Sequence, residues 1–205
     1  MKHPASGKIA LRPTVVVIAG PNGAGKTTYA EGVLQALGIG EFVNADRIAQ
    51  GLSGLNAESV ALEAGRIMLK RLRTLATAGV SFGFESTLSS RSFAPFLRNM
   101  RRGGYAVRIF YVMVPSAAEA YRRVQRRVKM GGHDIPKDVV VRRFARSAAN
   151  LFALYMPLAN NWTVHENRTD ALPVEVARGA AGEQPEVLLE KSWQKLIKIA
   201  TNVSR

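Results

Sequence analysis

A three-layer α/β fold with a doubly wound, mainly parallel sheet follows from three features of the sequence. Short, nearly all-apolar runs alternate with segments of helical periodicity from Thr14 onward, and such alternation argues for a sheet covered by helices. The apolar runs are rich in Val, Ile and Phe, as strands buried on both faces require. Right-handed crossovers between parallel strands then make the doubly wound arrangement the economical one.

The elements follow in order. "TVVVIAG" (Thr14 to Gly20) is β-branched and predicts a central strand, and Lys26 to Leu37 predicts a helix after it. "EFVNAD" reads as a second strand ending at Asp46. Across Asn56 to Ala78, the positions Val60, Ala64, Ile67, Met68, Leu72 and Leu75 recur at helical spacing and predict a long amphipathic helix. "VSFGFES" is the third strand, Ser89 to Arg102 a helix stopped by Gly103-Gly104, and "YAVRIFYVMV" the fourth strand. Two helices are expected over about 116–130 and 136–156, separated by "GGHDI". "WTVHEN" is a fifth strand, followed by a hairpin near 173–189 and a helix from about 190.

The 205 residues suit one domain, with a core over about 13–169 and a C-terminal extension over 170–205. Hydrophobic residues make up 47% of the chain and charged residues 21%, which excludes extensive disorder. With no cysteine there is no disulfide framework, thiolate metal site or cysteine nucleophile. The start "MKHPASGKIALRP" lacks an apolar core of signal-peptide length, and no apolar run spans a bilayer, so a cytoplasmic protein without a membrane partner is expected. The net charge of +14 attracts polyanions, with nucleic acid, nucleotides and acidic proteins all candidates.

Gly20 to Thr27, "GPNGAGKT", is the phosphate-binding loop pattern, set between a buried strand and a helix as its physics demands. Gly23 and Gly25 free the backbone to aim N–H groups at phosphate oxygens, and the helix N-terminus adds a favourable field. The loop residues Gly20, Pro21, Asn22, Gly23, Ala24, Gly25, Lys26, Thr27 and Thr28 are therefore expected to bind ATP. Lys26 would bridge the β- and γ-phosphates and Thr27 would ligate Mg²⁺. "GLSGLN" falls too soon after this loop to be the signature of an ABC-type ATPase. No strand ends in Asp-Glu and no Asn-Lys-x-Asp is present, which leaves a P-loop NTPase of kinase-like type.

Ligands in doubly wound folds sit beyond the carboxyl ends of the strands. Asp46 and Glu85 both fall there in the sequence reading. A kinase acting on an alcohol uses a carboxylate to accept the hydroxyl proton, and Asp46 is the candidate base. The plainer alternative makes Asp46 a helix N-cap. Glu85 would hold the acceptor or a water of the Mg²⁺ shell, or else pair structurally with a nearby Arg.

The chain resembles the zeta-toxin family of small P-loop kinases, particularly a branch loosely labelled as predicted ABC-type ATPases. The resemblance spans roughly Val15 to Arg168 and rests on "AGPNGAGKTT", "FVNAD", "FESTLS", "YVMVPS", the "RV..RV..GGH.IP...V.RRF" pattern and "ENR". It implies phosphorylation of the 3′-hydroxyl of UDP-N-acetylglucosamine by ATP and Mg²⁺, and an antitoxin protein as a possible partner. It places the base on Asp46, substrate contacts on Glu85 and Thr87, and a phosphate-clamping arginine on Arg126 or Arg127. Two positions depart from the family pattern. His133 stands where a second lid arginine is expected, and Glu166-Asn167-Arg168 stands where the family has Tyr-Asn-Arg.

Helical geometry sorts the basic run 122–143, an arginine-rich lid with eight Lys or Arg between Arg122 and Phe144. Tyr121, Val124 and Val128 share an inward face, Arg122, Arg126 and Lys129 point away, and Arg123 and Arg127 flank the apolar side. Arg127 is therefore preferred over Arg126 as the catalytic arginine. Gly131-Gly132 supplies a hinge. The second phosphate contact falls to His133, Arg142 or Arg143. A polynucleotide or nucleoside kinase, or a nucleotide-dependent binding module, are the rival readings. No aromatic-interleaved basic ribbon accompanies the charge, so nucleic acid ranks lower as a partner.

Overall fold

In the computed structural model, which describes residues 12–53, 59–132, 134–168 and 173–202, Thr14–Ala19 forms strand β1 inside a seven-stranded sheet. Side chains along a strand alternate between faces. Val15, Val17 and Ala19 accordingly join a core with helices α3 (Ala61–Thr77) and α4 (Phe93–Arg102), while Val16 and Ile18 pack beneath α1 (Lys26–Ala36) against Ala30 and Leu34. All five of these strand residues are fully buried. A strand between two helical layers has no polar face, which is why its sequence does not alternate.

The strand order is β2-β3-β1-β4-β5-β6-β7, where β2 is Glu41–Val43, β3 Phe82–Ser86, β4 Ala106–Met113 and β5 Asn161–Glu166. These first five strands pair in parallel. The chain goes to one side of β1 for β2 and β3 and to the other for β4 and β5, so its winding reverses at the strand that leads into the glycine-rich loop. This is the doubly wound, kinase-like P-loop α/β fold. The tail completes the same sheet: β6 (Val174–Gly179) lies antiparallel to β5, β7 (Glu186–Val187) antiparallel to β6, and α7 is Glu190–Thr201.

Helices α5 (Ala117–Lys129) and α6 (Lys137–Asn150) match the expected lid segments, but four boundaries differ from the sequence reading. The second strand stops at Val43, because the Asn44 side chain caps a helix, α2 (Ala45–Leu52), by accepting from the Asp46 and Arg47 N–H groups at 2.8 and 3.2 Å. Asp46 is therefore neither a strand end nor the cap; it sits in the first turn, where a negative charge suits the helix dipole. The helix expected over 56–78 is α3 from Ala61, with residues 54–58 outside the described set. The helix expected from Ser89 begins at Phe93, because Ser86, Thr87, Ser89, Ser90 and Ser92 satisfy one another and nearby backbone in turns. The helix expected to run to 156 ends at Asn150, becomes a π-turn over Leu151–Tyr155 and then a 3₁₀ turn over Met156–Leu158, where Pro157 cannot donate to a continuing α-helix.

No helix among the described residues is long and apolar enough to cross a membrane. The tail is welded to the body by aromatic packing: Trp193 of α7 stacks on Trp162 of β5 with ring centroids 5.8 Å apart, and meets Phe152 at 5.3 Å. Replacing a buried Trp by Ala typically costs about 3–5 kcal/mol. Trp193→Ala should therefore lower the urea midpoint of the whole chain in a single transition. Fluorescence and circular dichroism melting at different midpoints would instead show a tail that folds by itself.

Candidate active site

The loop after β1 is shaped by glycines that no other residue could replace. Gly25 precedes α1 with φ +83°, and a Cβ there would meet the Asn167 side-chain nitrogen at 2.7 Å. That nitrogen donates to the Ala24 carbonyl at 3.0 Å. Asn167 itself is held from behind, since its carbonyl accepts from the Arg123 guanidinium at 3.0 Å. Arg123 in turn pairs with Glu119 at 2.7 Å. Hydrogen bonds from Arg122 and Arg123 pull the Glu119 carboxyl down to a pKa of about 2. A chain of polar contacts thus runs from α5 to the underside of the loop.

Lys26 is buried, and its Nζ donates to the Pro21 carbonyl at 2.9 Å while lying 3.6 Å from Glu85 Oε1. The other oxygen of Glu85 accepts from Thr27 Oγ1 at 2.8 Å and from Asn44 Nδ2 at 2.7 Å. The sequence alternative of an arginine partner for Glu85 is thereby replaced: its companions are Lys26, Thr27 and Asn44. One carboxylate at the end of β3 binds the start of α1 and the cap of α2 together. Asn22 is also nearly buried, with its Oδ1 lacking a partner, and faces the same cleft as Lys26.

Three clefts meet here. One of about 450 Å³ is lined by Lys26, Asp46, Glu85, Thr87 and Arg143, with Asn22 at its edge. A second, of about 310 Å³, brings Thr27, Asp46 and Arg127 together. A third, broader cleft of about 1000 Å³ runs under the lid beside Gly23, Gly25, Thr28, Tyr29 and Arg127. The sizes suit small-molecule sites.

Most of the sequence-derived candidates gather on these clefts. Gly20, Pro21 and Ala24 shape the loop through their backbone. Thr87 Oγ1 lies 2.8 Å from Ser89 Oγ at the mouth of the first cleft. Arg127 lines two clefts and Arg126 one. The stem of Arg127 packs where a Cβ on Gly132 would stand, 2.5 Å from its Cγ, so the glycine at the hinge also makes room for the arginine. Of the three candidates for the second phosphate contact, Arg143 faces the first cleft. Arg142 turns outward, 3.8 Å from Asp138. His133 lies outside the described residues. Glu166 and Arg168 do not enter the clefts but bind each other and the Ser192 hydroxyl, anchoring α7.

Sequence reasoning missed Asn44 and the Asn167–Arg123–Glu119 chain. Asn44 carried a usable signal, an Asn directly before a helical run. Nothing local marks a carbonyl-to-arginine contact made across 44 residues.

A family model described as an AAA domain matches residues 15–154. The chain belongs to that family. An uncharacterized protein of Haemophilus influenzae is 28% identical over 134 residues, which are 65% of this chain and 94% of that protein. Among solved structures, AvrRxo1-ORF1:-ORF2 with ATP superposes with a TM-score of 0.70 at 19% identity, covering 91% of this chain but 64% of its own. A chain of the PezAT chromosomal toxin–antitoxin system of Streptococcus pneumoniae gives 0.62 at 14% identity, covering 95% of this chain and 86% of its own. A chain of the Pnkp1/Rnl/Hen1 RNA repair complex gives 0.53 at 17% identity, over 70% of this chain and 47% of its own. At such identities the structures attest the fold shared by this AAA-domain chain, and the chain spans less than two thirds of the AvrRxo1 protein.

Behind α1, the Tyr29 hydroxyl lies 3.0 Å from Nε2 of His165. Burial, and secondarily the charge of Glu175, push the Tyr29 hydroxyl pKa up, while burial lowers that of His165 to about 4. Between that value and the ordinary 6.5 the unfolded chain binds a proton that the folded chain refuses. The contribution of neutral His165 to stability is thus complete above pH 6.5 and is lost as pH falls towards 4. Urea midpoints measured across that window should drop more steeply for the native sequence than for His165→Gln. Equal slopes would show that the imidazole is protonated in the folded chain.

Proposed function

We propose that the chain is an ATP- and Mg²⁺-dependent kinase of zeta-toxin type, working in the cytoplasm. It transfers a phosphoryl group to a sugar hydroxyl, with UDP-N-acetylglucosamine or a related nucleotide sugar as acceptor. The observation that carries this reading is the position of Asp46, which lines both the cleft holding Glu85 and Thr87 and the one holding Thr27 and Arg127. A carboxylate shared by two clefts can take a proton from a molecule in one as that molecule attacks a phosphate in the other. Neighbours of the same fold support the reading: one was solved with ATP, and another comes from a toxin–antitoxin system.

In this mechanism the nucleotide lies under the lid, with its phosphates against the N–H groups of residues 20–28. Lys26 moves its ammonium from the Pro21 carbonyl and Glu85 to the β- and γ-phosphates. The Thr27 hydroxyl and the adjacent Glu85 carboxylate are oxygen donors that suit Mg²⁺. The ion, when bound, would neutralise phosphate charge. The acceptor hydroxyl oxygen bonds to the γ-phosphorus while the bond from that phosphorus to the β–γ bridging oxygen breaks. ADP leaves, and the hydroxyl proton passes to Asp46. Glu85 and Thr87 orient the acceptor. Arg127 answers charge building on the transferred oxygens, with Arg143 as the second contact. The whole chain acts as one kinase domain with its lid over about 122–143, and an acidic antitoxin would suit its charge of +14.

A second reading, phosphorylation of a nucleic-acid end, has one observation in its favour. Arg66, at the rim of the acceptor cleft, continues into a groove with Lys70 and Arg73. Incubation with ATP-Mg²⁺ and a panel of nucleotide sugars and 5′-hydroxyl oligonucleotides, read by mass spectrometry, separates the two. One added phosphoryl group on a sugar nucleotide is expected. Phosphate gained only by the oligonucleotide overturns the acceptor, and phosphate gained by neither leaves a nucleotide-dependent binding partner.

Lys26→Ala should abolish both transfer and tight ATP binding. Asp46→Ala should cut kcat by about 10²- to 10⁴-fold, the usual worth of a general base, with ATP affinity retained. Near-normal turnover in the Asp46 variant would remove it from the base role.

A further inference from the structure

We propose that a second cavity, joined to the acceptor cleft at Ser89, binds the diphosphate and planar base of a nucleoside-diphosphate-linked acceptor. The inference rests on the kinase reading above and specifies the part of the acceptor that stays remote from the transferred phosphate.

The cavity measures about 1030 Å³ and lies between the turn after β3, the end of α6 with its π-turn, and α7. Ser89 lines it and also lines the cleft of Asp46 and Glu85. A molecule entering one space can therefore extend into the other. Two guanidinium groups, Arg91 and Arg146, line the cavity with no carboxylate among its walls. Neither forms an ion pair with a carboxylate among the described residues. Arg146 follows Arg143 by three positions on α6, and such residues are neighbours on a helix surface. Since Arg143 faces the acceptor cleft, the helix carries a positive track from one space to the next. Arginine forks match phosphate oxygens, and unpaired arginines beside a cavity fit an anionic ligand.

The remaining wall is of another kind. Phe152, Ala153, Ile197 and Ala200 are apolar, and Phe152 is backed by Trp193 at 5.3 Å. A flat ring suits such a wall, whereas a free sugar offers it neither charge nor an aromatic face. The turn that bears Ser89 and Arg91 is also held in place. Asn150 Nδ2 donates to the Leu88 carbonyl and the Tyr155 hydroxyl to the Ser90 carbonyl, both at 2.7 Å. Leu88 is fully buried with φ +52°, a left-handed conformation found at no other non-glycine among the described residues. Such a conformation persists only where surrounding contacts enforce it. Its effect here is to project Ser89 and Arg91 between the two spaces.

The test uses UDP as probe, titrated calorimetrically into the full chain saturated with Mg²⁺ and a non-hydrolysable ATP analogue that fills the nucleotide cleft. UDP should bind the native sequence at least tenfold more tightly than the Arg91→Ala/Arg146→Ala variant, with equal affinity of both for the analogue. Phe152→Ala should weaken UDP but leave pyrophosphate binding unchanged. Equal UDP affinity in the native and double-variant chains overturns the proposal. Because binding is read without turnover, arginine-dependent UDP binding in a chain that phosphorylates no sugar would sustain the cavity and remove the kinase reading. A sugar nucleotide phosphorylated with the same KM by the double variant would do the reverse.

Discussion

The Glu85 carboxylate is the point on which the geometry of this molecule turns. It ends β3, receives hydrogen bonds from Thr27 at the start of α1 and from Asn44 at the cap of α2, and sits beside the Lys26 ammonium. A partly buried carboxylate is tolerated only when its oxygens are paired, and here both are engaged. The arrangement fixes three backbone segments relative to one another. Asp46 owes its place to it, because the cap that positions Asp46 is the same Asn44 side chain that donates to Glu85. Phosphate loop, candidate base and acceptor cleft are in this sense one hydrogen-bonded unit.

The sheet supports that unit from beneath. Strand β1 is buried completely from Val15 to Ala19, so the loop that follows it starts from a fixed platform. On the far side, Asn167 after β5 reaches the Ala24 carbonyl and is itself steadied by Arg123. Of the many positive charges on this chain, at least this one serves the fold. Arg122, by contrast, pairs with Glu119 at the surface, where an ion pair contributes little.

Much of this was legible before any coordinates. The alternation of β-branched runs with helical spacing specified the doubly wound sheet, because packing between two helical layers leaves a strand no polar side. The phosphate loop was legible because its glycines, lysine and threonine occur at fixed spacing between strand and helix. Boundaries were less readable where polar side chains compete with backbone hydrogen bonding: Asn44 ended a strand early, and the serines of 86–92 delayed a helix. The π-turn at Leu151–Tyr155 depends on which side chains meet the core from a distance, and local propensity carries no record of that. Among the lid arginines, periodicity separated inward from outward faces. It did not distinguish Arg142 from Arg143, which adjoin in sequence and differ in surroundings.

The last helix has a consequence of another order. The AAA-domain match ends at residue 154, whereas α7, with Ile197, Ala200 and Thr201, walls the space beyond Ser89. The machinery nearest the phosphates and the surface farthest from them thus come from stretches of chain that can diverge independently. Substitutions in α7 could change the choice of molecule handled while leaving the chemistry intact. In such a design, inheritance acts on selectivity and catalysis through separate exons of structure: a conserved engine and an exchangeable gauge.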